Sequence, residues 1–324
     1  MKSILFKALS LASAAVMGLA APQAMAADFP SKPIRIVAPF PAGVTTDIVA
    51  RTVADALTAR LGKPVIVDNK AGADGVIGVM DVVKAAPDGH TLLVVTNGPL
   101  SAVPNLKKNP PYDVLKDLTP ISDIGRATFA VYVAAEVPAK TLPEFIEYAK
   151  ANPGMLNYAS GNLTGQLSFA YMAMKAGLDM AHIPYKGETN AMNDMIGGRV
   201  QAIVATLGTG LPMVEAGKLR ILAVIAGERN AEIPDVPLIS EAGFQDFPIQ
   251  SWFGMFGPAG MPPDVVTKLN VAMTDALNDP AVLKRLKGMR TEVTPSTPEG
   301  LAVVLRAQLE AHGKIIRDAG ISLE

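Results

Sequence analysis

The feature that most restricts this chain is an alternation of short β-branched runs with longer segments of helical period. IRIV is followed by IVARTVADALTARL, then PVIV, VIGVMDVVKAA and TLLVV, all between residues 34 and 95. Strands that alternate with helices in this order pair in parallel, each helix crossing over the sheet. The segment from about Thr46 puts Ile48, Val49, Val53, Ala56, Leu57 and Leu61 on one face, and Gly62 is suited to end it in a left-handed cap. A second series opens near Thr141, where Thr141-Leu-Pro-Glu144 forms a capping box for a helix that stops before Asn152-Pro153-Gly154. LNYAS, a Gly-rich turn and QLSFAYMAMKAG repeat the strand, loop, helix order, and AIVAT and ILAVIAG add buried strands.

Two long extended stretches, 121–135 and 247–260, bracket the second series, as they would where a chain crosses twice between two domains. The helical closing segment, from PPDVVTKLNVAMTDAL to LAVVLRAQLEAHGKIIRDAG, is expected to pack back on the first domain. The expected division is residues 28–125 plus 251–324 in lobe 1 and 126–250 in lobe 2. The fold class is α/β, with two open, mostly parallel sheets flanked by helices and joined by two crossing strands.

Residues 1–26 stand apart from this pattern. Lys2 and Lys7 precede an apolar stretch from Ala8 to Ala21, which ends on Ala24-Met25-Ala26, a small-x-small site for signal peptidase. The stretch is shorter than the roughly 20 residues a spanning helix requires, so a cleaved leader and a periplasmic destination are expected. Removing 26 of 324 residues leaves 298, long enough to bury a large core without disulfides, and the chain has no cysteine. With Lys2 and Lys7 subtracted from 29 basic residues against 30 acidic ones, the formal charge is about −3, which gives no pull toward nucleic acid or anionic lipid. Aromatics make up 5% of the chain and Trp252 is the single tryptophan, which argues against a sugar-stacking groove.

Motifs for catalysis are absent from the sequence. His90, His182 and His312 are isolated, and with no cysteine to join them a zinc site has no support. Gly72, Gly75 and Gly78 have the wrong spacing for a dinucleotide fingerprint, and GLPMVEAGKLR is not a phosphate loop. There is no Gly-x-Ser-x-Gly elbow, and no histidine lies near Ser160 in the chain. A non-enzymatic protein without cofactor or metal is expected.

Three loops offer another chemistry. In PFPAGVTTD, residues 39–47, a strand gives way at Phe40, Gly43 allows a tight turn, and Thr45, Thr46 and Asp47 begin a helix. The first amides of a helix lack internal partners and lie at the positive end of its dipole, where an anion can satisfy them. YASGNLTGQ, 158–166, offers a second such end, with Gly161 and Gly165 for close backbone approach and Ser160, Asn162 and Thr164 as side-chain donors. TNGP, 96–99, is a third candidate or an ordinary turn. Loops at the carboxyl ends of parallel strands line the ligand crevice of open α/β sheets.

SKPIRIVAPFPAGVTTDIVAR, RLGKPVIVDNKAGADGVIG, AAPDGHTLLV, PGMLNYASGN, IPYKGETNAMNDMIGGRV, AGKLRILAV, PDVPLISEAG and SWFGMFGPAG together resemble the landmarks of the extracytoplasmic solute receptors of the tripartite tricarboxylate transporter family, the TctC or Bug receptors. The resemblance covers essentially all of residues 27–324. It implies a two-lobed Venus-flytrap binding protein, monomeric by default, that closes on a small carboxylate. It also implies delivery to a large and a small membrane subunit, or alternatively signalling to a membrane sensor kinase. Carried onto this sequence, the ligand-binding residues are Phe40, Pro41, Ala42, Gly43, Val44, Thr45, Thr46 and Asp47 in the first loop and Ser160, Gly161, Asn162, Leu163 and Thr164 in the second. Thr96, Asn97, Tyr185, Gly187, Thr206 and Leu207 complete the lining; Tyr185 is equally readable as a core residue, and Asp47 is read as positioning its loop rather than touching the ligand, because a carboxylate would repel a carboxylate.

Departures from the family pattern bear on the ligand. Val44 and Leu163 stand where the family often has glycine, and Leu207 where an acidic or amide residue is common. This gives the pocket wall more apolar surface and favours an aromatic mono- or dicarboxylate such as terephthalate over an aliphatic di- or tricarboxylate such as citrate. No acidic residue is recognisable as a holder for the ammonium of an amino acid.

Overall fold

A computed structural model describes residues 29–321; the expected leader and its cleavage site lie outside the described residues. The first series forms β1 (Ile34–Ala38), α1 (Thr45–Leu61), β2 (Val65–Asn69), α2 (Val76–Val83) and β3 (Thr91–Thr96), then a π-helical turn at Gly98–Ala102, α3 (Val103–Leu106) and β4 (Leu118–Ala127). The second forms β5 (Phe129–Ala134), α4 (Leu142–Ala151), β6 (Leu156–Ser160), α5 (Leu163–Ala176), β7 (Met180–Pro184), α6 (Glu188–Ile196), β8 (Ala202–Thr206), α7 (Leu207–Glu215) and β9 (Leu219–Ile225). The chain closes with β10 (Phe253–Pro258), α8 (Pro263–Leu277), α9 (Pro280–Gly288), β11 (Thr291–Val293) and α10 (Pro298–Asp318).

These strands make a six-stranded sheet, β11-β4-β10-β3-β1-β2, and a five-stranded sheet, β7-β6-β8-β5-β9. Pairing is parallel between β1 and its neighbours β2 and β3, and between β6 and its neighbours β7 and β8. β10 runs against β3 and β4, and β5 runs against β8 and β9. The sheets, expected to be mostly parallel, are mixed: β11 also runs against β4, and β5 and β10 are reversed for a topological reason. β5 and β10 enter their sheets from the other lobe, so they run opposite to strands that end at the gap between the lobes. The carboxyl ends of β1, β2 and β3 in one lobe, and of β6, β7 and β8 in the other, therefore share that gap.

The crossing segments are less continuous than the sequence suggests. The 121–135 stretch breaks at Thr128, whose N–H donates to the Arg290 carbonyl (3.5 Å) while its own carbonyl accepts the Leu207 N–H (2.8 Å). One residue is thus bonded to both lobes. On the return only Phe253–Pro258 is strand; residues 226–252 are irregular, and Pro234, Pro237 and Pro248 deprive that stretch of ladder donors.

Local signals account for the helices. Gly62 takes φ 68° and returns its N–H to the Thr58 carbonyl, ending α1. Thr141 accepts the Glu144 N–H at 3.3 Å, whereas the Glu144 carboxylate takes the N–H of Lys140, one residue earlier than in a closed capping box. α1 is buried beyond the expected face, Ala50 and Ala54 included, because α8 covers the side away from the sheet. α8 and α10 return to β4, and Leu301 and Leu305 of α10 cover the fully buried Trp252.

A single apolar cluster passes from Ile36, Val94 and Ile124 in the first sheet through Ala127 and Phe129 to Val131 and Val204 in the second. The valine, isoleucine and phenylalanine side chains among these contribute roughly 1.5–3 kcal/mol each when fully buried. A second apolar contact joins the lobes: Leu163, Leu167 and Tyr171, spaced by four along α5, meet Ala102, Leu106, Ile315 and Ile316.

Candidate functional site

Loops after β1, β2 and β3 converge on the first lobe's side of the gap. A Cβ built on Gly75 would lie 2.6 Å from Pro99 Cγ, and one on Gly78 would lie 2.6 Å from Pro39 Cβ. Gly75 and Gly78 of GADGVIG therefore serve close packing of the three loops.

In the first loop Gly43 adopts φ 86°, and its N–H donates to Asp47 Oδ2 at 2.9 Å. Asn69 Nδ2 donates to Asp47 Oδ1 (2.9 Å) and to the Phe40 carbonyl (3.1 Å), and Arg51 Nε also reaches the carboxylate. Burial opposes the Asp47 charge, but the Gly43 amide, Arg51 and Asn69 outweigh it and hold its carboxyl below the ordinary range. Asp47 is thereby a brace for its own loop. Pro41, Ala42, Gly43 and Val44 are exposed, Phe40 and Thr45 half-buried, and Thr46 buried. Val44 stands at the N-cap of α1 without a side-chain oxygen to offer, so the first amides of this helix have no capping side chain.

Thr96 ends β3, and Asn97 behind it is fully buried at 0% exposure. Its carbonyl accepts from Ser101 Oγ at 2.6 Å, and Ser101 Oγ lies 2.9 Å from His312 Nδ1. A hydroxyl has one proton, here given to Asn97, so His312 carries its proton on Nδ1 and donates it to Ser101. Burial lowers the His312 pKa to about 4, which keeps the ring neutral near pH 7. The side chain of Asn97 accepts from Thr164 Oγ1 across the gap at 3.1 Å, while its Nδ2 donor is buried without a partner among the described residues. Beside this bond, a Cβ built on Gly98 would lie 3.8 Å from Leu163 Cβ.

In the second lobe the Tyr185 N–H donates to the Ser160 carbonyl at 2.8 Å, and a Cβ on Gly161 would lie 2.2 Å from the Glu188 nitrogen. Asn162 caps α5 by accepting the Gly165 N–H (2.8 Å), and its Nδ2 donates to Glu188 Oε1 (2.7 Å). Both ends of this amide are therefore committed within the lobe. Glu188 Oε1 also accepts the Thr206 N–H at 3.0 Å, and Oε2 accepts Thr206 Oγ1 at 2.5 Å. Tyr132 donates to the Thr206 carbonyl; its hydroxyl pKa is pushed well up, first by burial and then by the Glu188 charge, with Arg290 pulling the other way.

Several expectations change. Leu207 is fully buried and packs in the second lobe's core, with its N–H donated to the Thr128 carbonyl. Leu163 belongs to the apolar contact between the lobes, and of the three supposed wall residues only Val44 is exposed, at 41%. The Tyr185 hydroxyl donates to Asp194, leaving backbone as its contribution to the loop. Gly187 is extended and N-caps α6 without a side chain. Ser160 does have a histidine beside it, since the parallel pairing of β6 and β7 brings His182 Nε2 to 2.8 Å. Glu188 was missed altogether, although its place directly after Gly187 at a helix start was the available signal.

Residues 49–321 match the tripartite tricarboxylate transporter family receptor, TctC. Protein BugT of Bordetella pertussis is 33% identical over 314 residues, covering 96% of each chain. An R. palustris protein solved with adipate superposes with a TM-score of 0.82 at 30% identity, over 91% of this chain and 99% of that one. MatC of Rhodopseudomonas palustris, solved with bound malate, gives 0.78 at 30% identity, over 89% of this chain and 100% of that one.

Proposed function

The chain belongs to the tripartite tricarboxylate transporter receptor family, and from that premise we propose that it captures a small aliphatic dicarboxylate between its lobes. As a member it is a periplasmic, non-catalytic solute receptor for a small carboxylate that partners a transporter of this type. Adipate and malate, present in the two R. palustris relatives, are both aliphatic. Of the apolar wall that favoured an aromatic ligand, Leu207 packs in the second lobe's core and Leu163, half-buried, packs partly into the contact between the lobes.

The observation that carries this reading is Asn97. A wholly buried amide donor without a partner among the described residues, between lobes that touch through Thr164, is suited to a carboxylate oxygen held at closure. The uncapped amides of α1, with Gly43 and Thr45 beside them, supply a second set of donors. A ligand that touches both lobes binds the closed form better than the open one, and that difference drives closure. We take residues 28–125 with 251–324, and 126–250, as the two moving bodies. The large and small membrane subunits receive the closed form, with a sensor kinase as the alternative recipient.

Thermal denaturation with succinate, malate, adipate, citrate, benzoate and terephthalate tests the reading. An aliphatic diacid at ~100 times its dissociation constant should add roughly 2.7 kcal/mol of stability. A response to aromatic acids alone would overturn the choice of ligand, and no response to any of the acids would overturn the site.

A further inference from the structure

We infer that Glu188 is a specificity-determining residue of the ligand site, reserving one acceptor position for a hydroxyl or ammonium carried by the ligand. This inference rests on the carboxylate-binding reading given above. An ionised carboxylate offers about four acceptor directions and no donor. Oε1 of Glu188 takes two donors, Thr206 N–H and Asn162 Nδ2, while Oε2 takes one, Thr206 Oγ1. One direction on Oε2 is left over, on a side chain that is only partly buried.

The position of Glu188 makes that direction relevant to a ligand. Glu188 packs against Gly161 and bonds Asn162, and the next two residues of that loop, Leu163 and Thr164, face Gly98 and Asn97 of the first lobe. On its other side it holds Thr206, and a Cβ on Gly208, two residues further, would lie 3.8 Å from the Met289 carbonyl of the first lobe. The carboxylate thus lies between two loop ends that both meet the opposite lobe. It also occupies the Thr206 amide that a second ligand carboxylate would otherwise use. An anion approaching there meets like charge, whereas a hydroxyl or ammonium completes the set. Glu188 is in addition an acidic group suited to an ammonium, which the sequence did not reveal.

Calorimetry on the mature chain at neutral pH, with succinate, malate and aspartate and with adipate and 2-aminoadipate, tests this. Within each length the carbon skeleton is constant, so the comparison isolates the donor. The wild type should bind a donor-bearing acid at least about tenfold more tightly than the plain diacid, equivalent to about 1.4 kcal/mol. Glu188→Gln keeps an oxygen for Thr206 N–H and Asn162, and the Thr206 hydroxyl can turn to accept from the new amide. In that variant the ratio should fall to about threefold or less, with succinate or adipate binding no more weakly than before. A wild type that prefers the plain diacid overturns the inference whether or not the variant folds, and so does a variant that keeps the wild-type ratio. In both cases the carboxylate site stands. If the wild type binds none of the five acids, the site itself is refuted and the inference falls with it.

Discussion

Thr164 Oγ1 donates to Asn97 Oδ1 over 3.1 Å, a hydrogen bond from the start of α5 in one lobe to the end of β3 in the other. Thr164→Val keeps the shape of the side chain and removes the donor, leaving the buried side-chain amide of Asn97 with no partner among the described residues. The loss should be about 1–3 kcal/mol in urea denaturation, with Thr164→Ser recovering most of it. A Thr164→Val protein as stable as the wild type would show that the lobes are not joined here in solution.

Gly43 and Gly161 are both glycines of the candidate site, yet they should respond differently to substitution. Gly43 has φ 86° and open space around a Cβ, so Gly43→Ala should cost about 1–2 kcal/mol through backbone strain alone and leave the protein folded. Gly43→Asp should also lose carboxylate affinity, because it adds negative charge at the amide end of α1. At Gly161 a Cβ meets backbone at 2.2 Å, so Gly161→Ala should disturb the second lobe itself. Circular dichroism melting of the two alanine variants separates these outcomes.

His312 should make the protein acid-labile in a defined window. The ring is neutral when folded, its pKa lowered to about 4 by burial, and it titrates at 6.5 when unfolded. Protons therefore favour the unfolded chain below pH 6.5, and stability should drop by about 1.4 kcal/mol per pH unit until about pH 4, where the folded form also takes up the proton. In His312→Leu this slope should be reduced. His182, also lowered by burial, remains in both proteins and cancels in the comparison.

Asp47 acts in the same direction over a lower pH window, with the charged form as the stabilising one. Its folded pKa lies below the ordinary 3.8, so its stabilisation is complete above that value and is lost as the pH falls through the folded one. Asp47→Asn should lower stability at pH 7 and flatten the acid limb below pH 4. Because Gly43 N–H and Arg51 would lose a charged acceptor, carboxylate affinity should drop along with it. Unchanged affinity would mean that the loop keeps its shape without this brace.

The fold was legible because its signals are local. Alternating strand and helix runs, Gly62 and the Thr141 cap each depend on residues within one or two turns of each other. What escaped depends on strand register and loop approach. His182 reaches Ser160 because β6 and β7 pair in parallel, and Glu188 reaches Thr206 because Gly161 lets α6 come close. Leu207 looked like cavity lining because it follows a strand end, but the first turn of α7 directs its side chain into the core. Periodicity within a segment carries no information about such partners, 18 to 22 residues away in the chain.

The strand order of the first sheet sets a sequence for its assembly. β10 lies between β3 and β4, yet it is made more than a hundred residues after either of them, when all strands of the other sheet have already been synthesised. A chain emerging from its amino end can finish the later-numbered lobe first and must leave the earlier one split into two unjoined parts until residues 253–258 arrive. Truncation just before Phe253 should therefore spare the inserted body and abolish the one that begins the protein.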